Sequence, residues 1–173
     1  MGVAYLFQSA TLVAMPALPN VEIRRATPAE LPDAYLMVSE YYEAAAVQKR
    51  ETQEEFLRDY FCSGAGFWLA RSGDNIIGCI AVRRMDVPQA AEIKRMYVRP
   101  EARGQGVAQE LLEAAEKFAL AAGFQWIYLD TADDMKAAAR FYQRNGFQPC
   151  ERYNDNPQAT IFMRKRLATS PPD

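Results

Sequence analysis

The chain has 173 residues, enough for one domain with a real core; half are hydrophobic and a quarter charged, as in ordinary soluble globular proteins. It contains no histidine, which excludes Ser-His-Asp and Cys-His triads, a histidine general base and any metal site that needs imidazole. Twenty Lys and Arg against twenty-two Asp and Glu give a net charge of −2, so no overall cationic field attracts nucleic acid or anionic membrane.

Cys62, Cys79 and Cys150 are odd in number, far apart and without a CxxC pair. They read as reduced thiols of a cytoplasmic protein, not as a disulfide framework or a zinc site. No run of about twenty apolar residues is present to span a bilayer. Residues 1–20 lack Lys and Arg, are mostly apolar and end in Pro16, Pro19 and Asn20. A secretory signal would want a basic start, so they are read as an N-terminal extension, partly disordered or packed as an extra strand. Residues 168–173, with Pro171 and Pro172, are expected to form a frayed tail.

Between these ends the elements follow in order. Val21-Glu22-Ile23-Arg24 alternates apolar and polar and predicts a short strand. Thr27-Pro28-Ala29-Glu30 predicts a capping box, with Thr27 accepting from first-turn amides and Glu30 reaching back. It opens a helix to about Val47, whose first turn Pro32 can distort. Thr52-Gln53-Glu54-Glu55 is a second box, for a short helix ending near Cys62. Phe67–Arg71 and Ile76–Arg83 flank the polar turn Ser72-Gly73-Asp74-Asn75 as a hairpin, and Ala91–Val98 is a third strand.

From Val107 the apolar residues recur at three and four, predicting an amphipathic helix to Gly123. Trp126–Asp130 is a strand, Met135–Asn145 a helix, and Phe147–Arg152 and Thr160–Arg166 the last strands, separated by the turn-rich Tyr153-Asn154-Asp155-Asn156-Pro157. The order β-α-α-β-β-β-α-β-α-β-β predicts one α/β domain with a mixed sheet over residues 21–167.

One loop carries chemistry. In Arg99-Pro100-Glu101-Ala102-Arg103-Gly104-Gln105-Gly106-Val107-Ala108 a strand runs through two glycines into a helix start. Glycines let backbone approach a ligand, and the helix start offers free amides and a positive dipole end, which together make an anion site. Lys94, Arg95, Arg99 and Arg103 are expected to add local positive charge. Gln109 replaces the third glycine of a dinucleotide fingerprint, and no Gly-Lys-Ser/Thr follows for a P-loop. An ordinary glycine turn before a surface helix is the other reading.

The pattern Arg/Gln-x-x-Gly-x-Gly/Ala, met by Arg103, Gly106 and Ala108, resembles the pyrophosphate-arm signature of the GNAT superfamily of acetyl-CoA-dependent N-acetyltransferases. The strand Glu92–Glu101 resembles the one entering this motif in the family. Ala139-Arg140-Phe141-Tyr142-Gln143-Arg144-Asn145-Gly146-Phe147 resembles its second signature, Phe-Tyr-x-x-x-Gly-Phe, at the usual separation. The resemblance spans Val21 to Leu167. It implies an α/β GNAT fold, with a mixed central sheet of about six or seven strands flanked by about four helices.

The resemblance also implies a site. Acetyl-CoA is the expected co-substrate, with no metal. Backbone groups along Met96-Tyr97-Val98 are expected to pair with pantetheine or the acetyl carbonyl. Arg103 and the amides from Gly104 through Gln105, Gly106, Val107 and Ala108 are expected to hold pyrophosphate. Tyr142 matches the family's general acid for the leaving thiolate, with the small Ala138 and Ala139 leaving room for a ligand before it; a core aromatic with its hydroxyl at the surface is the other reading. Glu92 is the candidate base, usually through water, or else an ion-pair partner of Lys94, Arg83 or Arg84. Alternation groups Glu92 with Lys94, Met96 and Val98. Asp130 is a weaker candidate. Met135 replaces the asparagine often found seven residues before the tyrosine, which puts a side-chain contact to pantetheine in doubt.

The acceptor side is expected in Tyr41-Tyr42-Glu43 through Glu51 and in Tyr153–Pro157, residues that would equally suit solvated loops. The function implied is transfer of an acetyl group from acetyl-CoA to a primary amine of a small molecule or peptide, by direct attack. The alternative is a non-catalytic acyl-CoA-binding or sensing module. A homodimer is kept as an assembly; nucleic acid and membrane are not expected partners.

Overall fold

The computed structural model describes Leu18, residues 20–132 and residues 136–167. The expected N-terminal extension, but for Leu18 and Asn20, the expected tail and Met135 lie outside the described residues. Seven strands form one sheet: β1 (Val21–Arg25), β2 (Gly66–Ser72), β3 (Asn75–Arg84), β4 (Ala90–Val98), β5 (Trp126–Thr131), β6 (Gln148–Pro149) and β7 (Ile161–Arg166). Their spatial order is β1-β2-β3-β4-β5-β7-β6. Neighbours are antiparallel except β4 and β5, which run parallel. A parallel pair needs a crossover, and α3 (Val107–Ala121) supplies it.

Helices α1 (Leu31–Ala44) and α2 (Gln53–Tyr60) cover one sheet face, where Met37, Val38, Tyr42, Phe56 and Tyr60 meet Phe67, Leu69, Cys79 and Ala81. On the other face α3 and α4 (Lys136–Arg144) pack Leu111, Leu112, Ala115 and Tyr142 against Ile80, Val82, Ile93 and Ile127. The central strands β2 and β3 are therefore almost continuously buried, because side chains on both faces meet a helix layer.

Local chemistry explains most element ends. At α2 the expected capping box is complete: Thr52 Oγ1 accepts from the Glu55 amide at 3.2 Å, and Glu55 returns to the Thr52 amide at 2.8 Å. Before α1 the expected capping box between Thr27 and Glu30 is present as well, with the Glu30 carboxylate accepting from the Thr27 amide at 3.0 Å and also from its hydroxyl. Pro28–Glu30 form a 3₁₀ turn, and the α-helix proper starts at Leu31 with Pro32 in its first turn.

The helix also ends three residues before the expected Val47. The Val47 amide folds back to Tyr42 O at 2.9 Å and Ala46 takes φ +48°, a Schellman-type stop without glycine. The expected strand Phe147–Arg152 shrinks to Gln148–Pro149. Cys150 N still donates to Phe162 O, but Arg152 then turns inward to the carbonyls of Asn154, Asn156 and Ala159.

One irregularity changes a sequence expectation. Along β3 the step from Cys79 to Ala81 faces the step from Tyr97 to Lys94 on β4, so β4 carries one extra residue. Such a bulge shifts side-chain alternation by one. Glu92 and Lys94 therefore do not share a face with Met96 and Val98. Met96 and Val98 pack in the α3/α4 core, while Tyr97 packs on the α1/α2 side.

Gly78 sits opposite Val98 at the end of β4. A Cβ there would lie 2.9 Å from the Tyr97 carbonyl oxygen and 3.2 Å from Leu111 Cδ1. Backbone cannot yield as a side-chain tip can. Gly78→Ala is expected to lower unfolding stability by about 1–3 kcal/mol in urea titration; an unchanged midpoint would show that β4 accommodates the methyl.

Candidate active site

β4 and β5 pair only from Ala90–Trp126 to Glu92–Tyr128, and then diverge. β5 keeps its other partner, β7, over its whole length. A wedge-shaped opening results between the second halves of β4 and β5. Side chains bridge its narrow end: Lys94 Nζ lies 3.0 Å from Glu92 and 2.9 Å from Asp130.

At the far end of β4 stands the glycine loop. Pro100–Ala102 make a 3₁₀ turn, Gly104 and Gly106 take φ of +75° and +84°, and α3 begins at Val107. A Cβ on either glycine would meet no protein atom within 4 Å, so the space over the loop is open. Gly106 is the N-cap and provides no side chain to cap the helix. The first-turn amides are thus left for an outside acceptor, the arrangement that suits an anion. Val107 is buried and Ala108 half-buried against the core, which anchors the helix start.

The expected positive charge on this strand and loop is largely neutralised. Lys94 is paired as above, Arg95 with Glu51 at 2.8 Å, and Arg99 with Glu40 through two bonds of 2.9 and 2.6 Å. Arg103 alone of the four has no carboxylate partner among the described residues. Its Nε donates to Val98 O at 2.9 Å, tying the loop to the end of β4. The features left here that would suit an anion are backbone amides, the helix dipole and Arg103. Gln105 reaches away, accepting from the Leu18 amide at 2.9 Å and donating to Glu101 O.

Tyr142 comes from α4 into the same core and is 6 % exposed, edge-on to Phe141 and Phe147. Burial pushes its pKa up, and the Asp130 carboxylate adds to this. Ala138 and Ala139 precede it, both half-buried. Met96, Val98, the loop, α3 and Tyr142 all belong to one side of the sheet.

Glu92 lies elsewhere, on the α1/α2 side, 2 % exposed. Its oxygens take Arg83 at 2.7–2.8 Å, Lys94 at 3.0 Å, the Tyr153 hydroxyl at 3.0 Å and Asn154 at 3.3 Å. Arg84, the other cation open at the sequence level, is not among these partners. Asn154 also donates to Asp130 at 2.7 Å, joined by Asn156. Burial would raise the Asp130 pKa, but Lys94, Asn154 and Asn156 outweigh it and hold the carboxyl below its ordinary value.

Of the two stretches expected on the acceptor side, the first is met by the residue just after the second. Gln158 accepts from the Gln48 amide at 3.0 Å and donates to Ala46 O at 3.1 Å. Glu51, foreseen only as the end of one stretch, is a hub. Its carboxylate accepts from Tyr42 at 2.7 Å, Tyr60 at 3.2 Å and Arg95. Its contact with Arg95 spans 44 residues, and no local pattern in the sequence signals it. Among the described residues no group of acidic or cysteine side chains could hold a metal, and no helix is long and apolar enough to cross a membrane.

Comparison with known proteins fits this geometry. The model of the acetyltransferase (GNAT) family matches residues 31–147. An IAA acetyltransferase of Azospirillum brasilense is 30 % identical over 156 residues, 87 % of this chain and 100 % of that protein. An N-acetyltransferase of Schizosaccharomyces pombe is 34 % identical over 93 residues, 53 % of this chain and 57 % of that one. Among solved structures, a GNAT acetyltransferase from Staphylococcus aureus superposes with TM-score 0.74 at 22 % identity, over 86 % of this chain and all of that one. The PaiA N-acetyltransferase of Thermoplasma acidophilum, in complex with coenzyme A, gives 0.66 at 21 %, over 85 % and 99 %. With a family model covering most of its length and a curated relative matched end to end, this chain belongs to the GNAT acetyltransferase family.

Proposed function

We propose that the protein transfers the acetyl group of acetyl-CoA to a primary amine of a small molecule or peptide, by direct attack. One observation carries this reading. The opening between β4 and β5 has an uncapped helix start and open glycine backbone at one end, and a buried phenol from α4 on its α3/α4 side. Acetyl-CoA supplies the activated acyl group. The amides of Gly104, Gln105, Gly106, Val107 and Ala108, with Arg103, hold pyrophosphate. The backbone of Met96, Tyr97 and Val98 lies along the pantetheine arm, and Ala139 leaves it room. The domain that does this is residues 21–167, and a reduced, cytoplasmic setting suits its three free thiols.

Tyr142 is the proposed general acid. Because its pKa is raised, the phenol stays protonated and able to donate across neutral and mildly alkaline pH. Glu92 is the proposed base, acting through water. Its contacts also support the second role open to it, the centre of an ion-pair network, because four donors already occupy its oxygens.

The overall reading is tested by thiol release from acetyl-CoA over an amine panel, together with thermal stability. Acetyl-CoA at 100 times its dissociation constant is expected to add roughly 2.7 kcal/mol. Stabilisation without thiol release for any amine would favour an acyl-CoA-binding module, and no stabilisation at millimolar coenzyme would overturn both. Tyr142→Phe is expected to lower kcat by about 10²-fold. With a pKa above the ordinary value of about 10, the wild-type phenol should give no alkaline fall in kcat near pH 8; a near-normal kcat in the Phe variant would refute the assignment. Glu92→Gln should depress activity most below the pKa of the amine, where a base is needed. A pH profile merely scaled down would assign Glu92 to the ion-pair role.

A further inference from the structure

Arg95 holds a backbone conformation that its side chain disfavours. Its φ is +55°, in the left-handed region, in the stretch of β4 that carries the extra residue. This bulge sends Met96 and Val98 to the α3/α4 face. Two contacts hold it. The Arg95 carbonyl takes the buried Cys79 thiol at 3.2 Å, and the guanidinium is clasped by Glu51 through Nη2 at 2.8 Å and Nε at 3.3 Å. The rings of Tyr41 and Tyr42 flank the guanidinium at 5.8 and 5.2 Å.

Glu51 is itself tightly fixed. Besides the bonds to its carboxylate from Tyr42 and Tyr60, its carbonyl accepts from Tyr35 at 2.8 Å and its amide donates to Tyr42 at 3.3 Å. Those tyrosines belong to helices that already pack on the core through Met37, Val38 and Phe56. Arg95 is the hub's partner from the sheet. Both charged side chains are largely but not fully enclosed, at 13 and 15 % exposure. For stability alone, apolar residues of similar volume would serve as well or better. The pair is thus free to serve a role beyond packing.

We infer that Glu51 is a positioning residue. Through Arg95 it holds the β4 bulge in register, and so sets the backbone along which the acyl donor lies. This couples the α1–α2 connection, on the acceptor side, to the donor strand. The inference rests on the acetyl transfer proposed above.

Three variants test it. Glu51→Gln is expected to lower kcat by about 10²-fold, as a small misplacement of a reacting group does, with the acceptor KM unchanged. In that background Arg95→Gly removes the stranded cation and adopts positive φ without strain, so kcat should return to within about tenfold of wild type. Arg95→Met in the same background removes the cation but keeps the Cβ strain, and kcat should stay low. Recovery in both would reduce the effect to a buried unpaired charge and overturn the inference. So would recovery in neither, or a raised acceptor KM with kcat kept.

Amide hydrogen exchange over residues 94–98 in the free protein should follow the same pattern: faster in Glu51→Gln and with Met, slower again with Gly. Wild-type protein that acetylates no amine would sink the proposed function, and the exchange pattern alone would then decide the clasp. If Glu51→Gln does not fold, Glu51→Asp takes its place in every arm, keeping the charge but withdrawing it by one methylene.

Discussion

The site depends on a strand that loses its partner halfway. β4 shares backbone hydrogen bonds with β5 only as far as Glu92, while its other edge stays paired to β3 as far as Val98. The freed edge of β4 opens what would otherwise be a sheet interior. Unpaired strand edges inside a protein are costly unless something else satisfies or separates them. Here side chains take over, with Lys94 linking Glu92 to Asp130 and Asn154 donating to both carboxylates. Deleting one member of such a buried network leaves an unmatched charge, at a cost of about 3–5 kcal/mol. The network thus ties the narrow end of the opening together, since no member can be removed cheaply.

The bulge at Arg95 is the second half of that arrangement. A regular β4 would place Lys94, Met96 and Val98 on one face. The extra residue instead gives the α1/α2 side Lys94 and Tyr97, and gives the α3/α4 side Met96 and Val98. One strand thereby serves two unlike surroundings, a charged one under α1 and α2 and an apolar one leading to the glycine loop. Neutralisation of Lys94, Arg95 and Arg99 by carboxylates belongs to the same division. Their charge is balanced within the protein, which leaves Arg103 as the cation of the four without a carboxylate partner among the described residues.

Much of this was legible locally. The Thr52 box, the polar hairpin turn at Gly73 and Asp74, the amphipathic period of α3 and the two glycines before it all act within a few residues, and the structure follows them. Where the expectation slipped, a distant partner intervened or a rarer local motif won. α1 stops at Ala44 because Ala46 adopts a left-handed turn usually given to glycine. β6 ends after Pro149, where the chain turns away and Arg152 gathers the carbonyls of the next loop.

The sequence alone determined the order of elements, the glycine loop leading into α3 and the family, because each rests on short-range spacing of glycines, caps and apolar residues. Tertiary structure decided which face each β4 side chain takes, that Glu92 is enclosed by four donors, and that Glu51 meets Arg95. Those outcomes depend on strand register and on contacts across 44 to 62 residues of chain. A one-residue bulge reverses a face and no local pattern records it, since the pairing energy that fixes it comes from the neighbouring strand.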